Sequence, residues 1–173
     1  MVLGMSVFFP NFADKSIFNH IEDSTIMKET ILSIAGKPGL YKLVTRGKNN
    51  LIVESLDEVH KRQPVFNSDR VISLADIAMY TEGEDVPLMK VMIALRDKEE
   101  GKPTSVNYRK ASGDELRSYF SDILPDFDRD RVHDSDIRKL LQWYNLLIAA
   151  GITDFEDDLE PTEGDNIDDR KDQ

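Results

Sequence analysis

Residues 36–58, GKPGLYKLVTRGKNNLIVESLDE, decide the predicted fold of this chain. Two β-rich runs, 40–46 and 51–56, flank Gly47-Lys48-Asn49-Asn50, a sequence typical of a hairpin connection. Further short runs follow at 62–66, 71–73 and 77–81, with a 3₁₀ turn expected between the last two. Five short strands that close on one another leave no exposed sheet edge, so the pattern predicts an SH3-like small β-barrel over residues 27–82.

A helical period replaces the strand pattern after Pro87, which favours the first turn of a helix because its missing N–H costs nothing there. Ser112 and Glu115 have the spacing of a capping box. The run 137–150 is apolar on nearly all sides, which indicates a helix buried against several neighbours. Asp134 or Ser135 is predicted as the N-cap of this helix. The sequence therefore predicts a small all-helical domain over 86–153 and an α+β chain, with 98–104 as the candidate linker.

The formal net charge of −11 is concentrated at the C-terminal end. Residues 154–173 hold ten Asp and Glu against Arg170 and Lys171, whereas 27–153 is close to neutral. A strongly acidic segment with few apolar residues cannot offset its ordering entropy, so a disordered, solubilising tail is predicted over 154–173. The alternative is a tail that competes with nucleic acid for the basic hairpin.

Residues 1–26 differ from the rest of the chain, since their apolar residues follow no sustained helical or strand period. Met27 opens a run, KETILSIAG, that is a credible beginning for the folded body. We therefore expect residues 1–26 to be a non-native or disordered extension and Met27 to be the physiological start.

The composition excludes several kinds of site. There is no cysteine, which rules out disulfides, thiolate zinc sites and cysteine nucleophiles and fits a reducing cytoplasm. No stretch approaches the roughly 18 apolar residues of a membrane span, so no membrane partner is expected.

Two motifs were tested as catalytic or metal-binding sites. Asp126 to Asp134 has the carboxylate spacing of a calcium loop, but Arg131 stands where Gly is needed and Ile137 where Glu is needed. Ser55, Asp57 and His60 lack the elbow and oxyanion motif of a hydrolase. The sequence predicts no catalytic residue, no metal and no cofactor, and therefore a protein that is not an enzyme.

Basic residues around the hairpin are the leading candidate site, because hairpin tips of small barrels often contact phosphates. The predicted nucleic-acid set is Lys37, Lys42, Arg46, Lys48, Lys61 and Arg62, with Tyr41 as the stacking partner. The leading hypothesis is a binding or adaptor module for RNA or a ribonucleoprotein; ordinary solvated charges are the alternative interpretation of these residues. The alternative function is a protein-interaction module acting through Tyr119, Phe120 and Trp143 of the helical half.

Three runs carry a resemblance to a known family: ILSIAGKPGLYKLVTRGKNNLIVESLDE, SLADIAMYTE and LPDFDRDRVHDSDIRKLLQWYNLLIAAGITDF. Over residues 27–155 the chain resembles a Bacteroidetes family that begins with a domain of unknown function, DUF5606, and continues with a small helical domain. The resemblance implies the fold, a bacterial cytoplasmic origin, a start near Met27 and an acidic, variable tail. It implies no activity and no functional residues.

Overall fold

The computed structural model describes residues 30–155, so the predicted segment 1–26 and nearly all of 154–173 lie outside the described residues. Within 30–155 the fold is mixed α+β, with a five-stranded antiparallel sheet, a two-stranded sheet and three α-helices. The strands of the larger sheet are β1 (Ile31–Ile34), β2 (Tyr41–Arg46), β3 (Asn50–Ser55), β4 (Arg62–Phe66) and β5 (Val71–Ser73). The smaller sheet pairs β6 (Ala78–Met79) with β7 (Val86–Pro87), and the helices are α1 (Leu88–Glu99), α2 (Gly113–Ser121) and α3 (Asp134–Ala149).

The five-stranded sheet does not lie flat. Its strand order is β4-β3-β2-β1-β5, so β4 and β5 lie at opposite edges although only residues 67–70 connect them. Five flat strands would place these edges about 19 Å apart. An extended chain from Phe66 to Val71 reaches at most about 17 Å, and the Asp69 N–H hydrogen bond to the Phe66 carbonyl shortens it further. The sheet therefore bends until its two edges approach.

Closure of that sheet into a barrel is not confirmed. In the described part of the chain, β4 pairs only with β3 and β5 pairs only with β1, so the sheet stays open. The predicted strand 77–81 does not join this sheet, since Ala78 and Met79 pair with Pro87 and Val86 instead. The place of a fifth strand is taken by β1, which was not predicted as one.

The turn that redirects the chain out of the sheet was predicted correctly. Residues Leu74–Asp76 form a 3₁₀ turn, and Leu74 is buried. The next residue, Ile77, accepts a hydrogen bond from the Leu88 N–H at 2.8 Å. The turn thus sets the start of α1 directly beside the end of the sheet.

Two apolar clusters hold the fold together. One lies on the concave side of the curled sheet and consists of Leu32, Ile34, Tyr41, Leu51, Val53, Val65 and Val71, with Leu43 against it. The larger cluster joins sheet-side residues such as Ile31, Leu40 and Leu56 to the buried faces of all three helices. The larger cluster therefore joins the sheet to the helices, whereas the concave cluster stabilises the sheet itself, both through burial of apolar surface.

Helix ends follow their local signals closely. The capping box of α2 is confirmed, because the Ser112 N–H donates to Glu115 Oε2 at 2.8 Å and the Glu115 N–H donates to Ser112 Oγ at 3.3 Å. The predicted cap of α3 at Asp134 or Ser135 is wrong. His133 is the N-cap, and its N–H donates to the buried Asp136 carboxylate at 2.8 Å.

The segment 98–104, predicted as a linker, is bound to α3. The Thr104 N–H donates to Asn145 Oδ1 at 2.9 Å, and the Tyr144 hydroxyl donates to the Lys102 carbonyl at 2.9 Å. These bonds fix the chain between α1 and α2 against the longest helix.

Candidate binding face

Strands β2, β3 and β4 turn one side away from the concave cluster, and this outer side is not covered by the helical core. We call it the convex face. Strand register places its residues in three rows: Lys42, Glu54 and Arg62; Thr45, Ile52 and Pro64; Asn50 and Phe66. Because side chains alternate along a strand, each row shows the same side of the sheet to solvent.

An exposed aromatic ring lies at one end of this face. Phe66 is 51% exposed, and it and Val59 are the large hydrophobic residues left exposed within 30–155. The backbone of Phe66 is held by Asp69, whose carboxylate accepts its N–H at 2.9 Å. Pro64, also exposed, and the half-buried Ile52 continue the apolar surface toward the centre. The ring is thus presented on a fixed turn.

Phe66 was absent from the predicted site. Its sequence signal was the alternation along the predicted edge strand, in which Val65 takes the buried position and Phe66 the opposite side. An aromatic residue at a solvent-facing strand position is a candidate binding residue, and that alternation could have identified it.

The charged row is partly neutralised. Glu54 accepts a hydrogen bond from Arg62 Nε at 2.7 Å, and His60 Nδ1 lies 3.7 Å from its other oxygen. The Arg62 hydrogen bond, followed by the charges of Arg62, His60 and Lys42, lowers the pKa of Glu54 despite some desolvation. One carboxylate thus balances one of the two cations, Lys42 and Arg62, that flank it.

Lys48 at the hairpin tip is a cation of the predicted set whose side chain is not held by any neighbour that the structure describes. It is exposed, and within 30–155 it makes no hydrogen bond or ion pair. The tip follows Arg46 and precedes Asn50, which is directly opposite Phe66. Lys48 and Phe66 therefore lie at the same end of the convex face.

Arg46 belongs to the other side of the sheet. A register irregularity between Leu43 and Thr45 moves Arg46 opposite Leu51, a member of the concave cluster. One terminal nitrogen of its guanidinium is buried without a hydrogen-bond partner among residues 30–155. Sequence alternation alone could not reveal this change of side, because the extra residue reverses the side of the sheet on which each later residue of β2 lies.

Two further predicted residues also lie away from the convex face. Tyr41, predicted as the stacking partner, is 6% exposed within the concave cluster, and its hydroxyl donates to the Pro38 carbonyl at 3.1 Å. Lys37 donates to Gln63 Oε1 at 3.3 Å, where Gln63 is paired with Val53 of the concave cluster. Of the predicted set, the structure groups Lys42 and Arg62 on the face and leaves Lys48 and Lys61 exposed in its connections.

The three aromatic residues predicted as the alternative partner-binding surface lie in or beside the core of the helical half. Phe120 is 0% exposed and Trp143 is 3% exposed, and the Phe120 ring packs edge-on against Phe127 at 5.0 Å between centroids. Tyr119 is half-buried, and its hydroxyl donates to the Glu99 carboxylate. The structure thus places Phe120 and Trp143 in the core and Tyr119 at its border, and contact of these rings with a partner stays a prediction.

The residues tested as catalytic or metal sites have structural partners. Ser55 Oγ donates to Asp57 Oδ1 at 2.7 Å and accepts the Lys61 N–H at 2.9 Å, so it is not paired with an imidazole. Asp128 pairs with Arg131 at 2.6 Å in the former calcium-loop candidate. In the part of the chain that the structure covers, no three His, Cys, Asp or Glu residues are grouped to hold a metal ion.

Among the helices within 30–155, none has the length and apolar character needed to cross a bilayer.

Both halves of the chain match known family models. The model of a domain of unknown function, DUF5606, matches residues 29–74, and that of a second, DUF6852, matches residues 77–147. A solution NMR structure of a Bacteroides vulgatus protein from the Northeast Structural Genomics Consortium is 61% identical, with a TM-score of 0.60, covering 73% of this chain and 89% of that chain. No curated protein matches. The chain therefore belongs to the DUF5606 family, as the resemblance predicted, with DUF6852 forming its second half.

Proposed function

We propose that this protein is a non-enzymatic binding module whose convex face takes single-stranded nucleic acid, with RNA as the expected partner. The observation that carries the proposal is the exposed ring of Phe66 at the same end of the convex face as the exposed cation of Lys48. Stacking of a base on an aromatic ring contributes about 1–3 kcal/mol and tolerates any base. A neighbouring Lys adds attraction for the phosphates.

The sheet offers room for more than one nucleotide. The row of Phe66 and the row of Arg62 lie four residues apart along β4, which corresponds to about 13 Å. Exposed Pro64 and half-buried Ile52 lie between them and supply an apolar surface without a charge. The proposal needs only this outer side of a curled sheet, which we compare to an SH3-like small barrel left open at one edge.

The distribution of charge supports the sheet over the helices as the binding part. Residues 30–76 contain seven Lys and Arg against five Asp and Glu, whereas residues 77–155 contain eleven against fifteen. A polyanion is attracted by the first part and repelled by the second, so association is steered toward the sheet. We also propose that the protein acts in the bacterial cytoplasm.

Fluorescence anisotropy with an end-labelled, mixed-sequence single-stranded RNA at several salt concentrations tests the proposal. We expect saturable binding that weakens with salt and a Kd raised about 5- to 150-fold in Phe66→Ala, the equivalent of one lost stacked base. Lys48→Glu should reduce the slope of log affinity against log salt by about one or more, and Lys42→Glu should add to that reduction.

Two matched controls make the result specific. Val59→Ala removes the other exposed large hydrophobic residue, which lies in the connection between β3 and β4 and not in a strand of the convex face, and Lys90→Glu reverses an exposed charge on α1. Both should bind RNA as the unaltered protein does. The proposal is rejected if no saturable binding occurs, or if Phe66→Ala and Val59→Ala bind equally well.

A further inference from the structure

We infer that residues 156–173 of this same chain bind the convex face and compete there with nucleic acid. The competition rests on the proposed function, whereas the contact of the segment with the face does not. Residues 156–173 hold nine Asp and Glu against two basic residues, Arg170 and Lys171. The exposed cations of the sheet part are thus the complementary surface within the protein.

The place where the segment leaves the fold is fixed. Phe155 is 2% exposed and belongs to the core of the helices. Just before it, the Thr153 carbonyl accepts a hydrogen bond from an Arg96 terminal nitrogen at 3.0 Å. The acidic segment therefore starts from a rigid point of the body.

The C-terminal part of α3, which leads to that point, lies beside the start of β2. The end of α3 approaches the beginning of β2, since Leu146 Cδ1 would lie 3.9 Å from a Cβ built on Gly39. From Gly39 to the hairpin tip the chain runs for nine residues, about 30 Å at most. Eighteen residues average about 23 Å end to end as a flexible coil and reach about 60 Å when extended. The segment is long enough to lie along the convex face.

Because residues 156–173 belong to the same chain as the convex face, weak contacts are sufficient for them to bind it. A short flexible connection gives an effective concentration in the millimolar range. Exposed ion pairs are individually weak and are screened beyond about 8 Å at physiological salt. We therefore expect the segment to reduce RNA affinity about threefold to tenfold at low salt, with the effect fading as salt rises.

Zero-length crosslinking of the full chain tests the contact without RNA. A carbodiimide joins Lys Nζ directly to a neighbouring carboxylate, and mass spectrometry identifies the linked peptides. We expect links from Lys48 and Lys61 to carboxylates of 156–172, suppressed at high salt, with Lys90 on α1 as the internal reference that is linked less often. Links distributed equally to Lys90, or no links at the sheet, overturn the inference.

A second arm tests the competition. In the full chain, six acidic residues of the segment are changed to their amides: Glu156, Asp157, Asp158, Glu160, Glu163 and Asp165. This variant should bind the labelled RNA threefold to tenfold more tightly than the unaltered chain at low salt and equally at high salt. Equal affinity at all salt concentrations rejects the competition. Crosslinks at the sheet without RNA binding by either protein reject the proposed function alone.

Discussion

The Arg131 guanidinium lies over the ring of Tyr80, with its central carbon 4.1 Å from the ring centroid. The same side chain donates to the Thr81 carbonyl at 3.2 Å and pairs with Asp128 at 2.6 Å. A β-bridge between Thr81 and Phe127 reinforces the contact. One arginine thus joins the connection between α2 and α3 to the connection between β6 and β7.

Substitution of Arg131 should weaken this junction. Arg131→Lys keeps the charge but loses the planar fork that reaches a carbonyl and a carboxylate together, so we expect a lower urea midpoint of unfolding. Arg131→Ala should lower the midpoint further, because the contact with the Tyr80 ring is also lost. Lys90→Ala on the surface of α1 serves as the control. Equal midpoints for all four proteins would show that the junction contributes nothing to stability.

The binding of 98–104 to α3 leads to a second prediction. Asn145→Ala removes the acceptor of the Thr104 N–H and the donor to Thr104 Oγ1, and should lower the free energy of unfolding by about 1–3 kcal/mol. The Thr104 amide should lose protection in native-state hydrogen exchange, and a protease should cut within 98–104. Gln142→Ala, on the same helix and half-exposed, is the control. A Thr104 amide that exchanges rapidly in the unaltered protein would contradict the assignment.

Because Phe120 is buried, a stability measurement can distinguish a core role of this ring from a role in partner binding. Phe120→Ala should lower the free energy of unfolding by about 3–5 kcal/mol, because it removes a fully buried ring that packs on Phe127. Chemical denaturation measures this loss, and Val59→Ala should stay within about 0.5 kcal/mol of the unaltered protein. A Phe120→Ala protein as stable as the unaltered protein would favour partner contact as the role of this ring.

Features with a local cause were predicted well from the sequence. The capping box at Ser112, the 3₁₀ turn at Leu74–Asp76 and the helix that starts after Pro87 each depend on residues within one turn of chain. Propensity and capping act over that distance, so the signal and its consequence lie in the same window.

Features that depend on distant partners were missed. Whether Ala78 pairs with Pro87 or joins the main sheet is decided by the packing of α1 beneath the turn, and that competition leaves no trace in the run 77–81. The irregularity in β2 likewise turns Arg46 toward the concave cluster. A prediction from alternation could not anticipate this, because alternation assumes a regular strand. Three of the seven predicted residues, Lys37, Tyr41 and Arg46, therefore lie away from the convex face, and Phe66, which was not predicted, lies on it.

Glu54 gives the binding face a predicted dependence on pH. Arg62 lowers the pKa of Glu54 by a hydrogen bond, so the folded protein favours the ionised carboxylate. The stability that results is present above the ordinary carboxyl range and is lost as the pH falls through the lowered pKa. A ¹³C NMR titration should show the Glu54 midpoint below its ordinary value, and Arg62→Ala should move it upward.

The same carboxylate should oppose nucleic acid on the convex face. Because Glu54 lies between Lys42 and Arg62, its protonation leaves both cations uncompensated, and RNA affinity should rise as the pH falls through its pKa. Glu54→Gln should bind RNA more tightly at neutral pH and lose that part of the pH dependence, whereas Asp69→Asn, next to Phe66 but bonded to its backbone, should retain it. If Glu54→Gln leaves both the affinity and its pH profile unchanged, phosphate does not contact this row, and the binding face is limited to the end that carries Phe66 and Lys48.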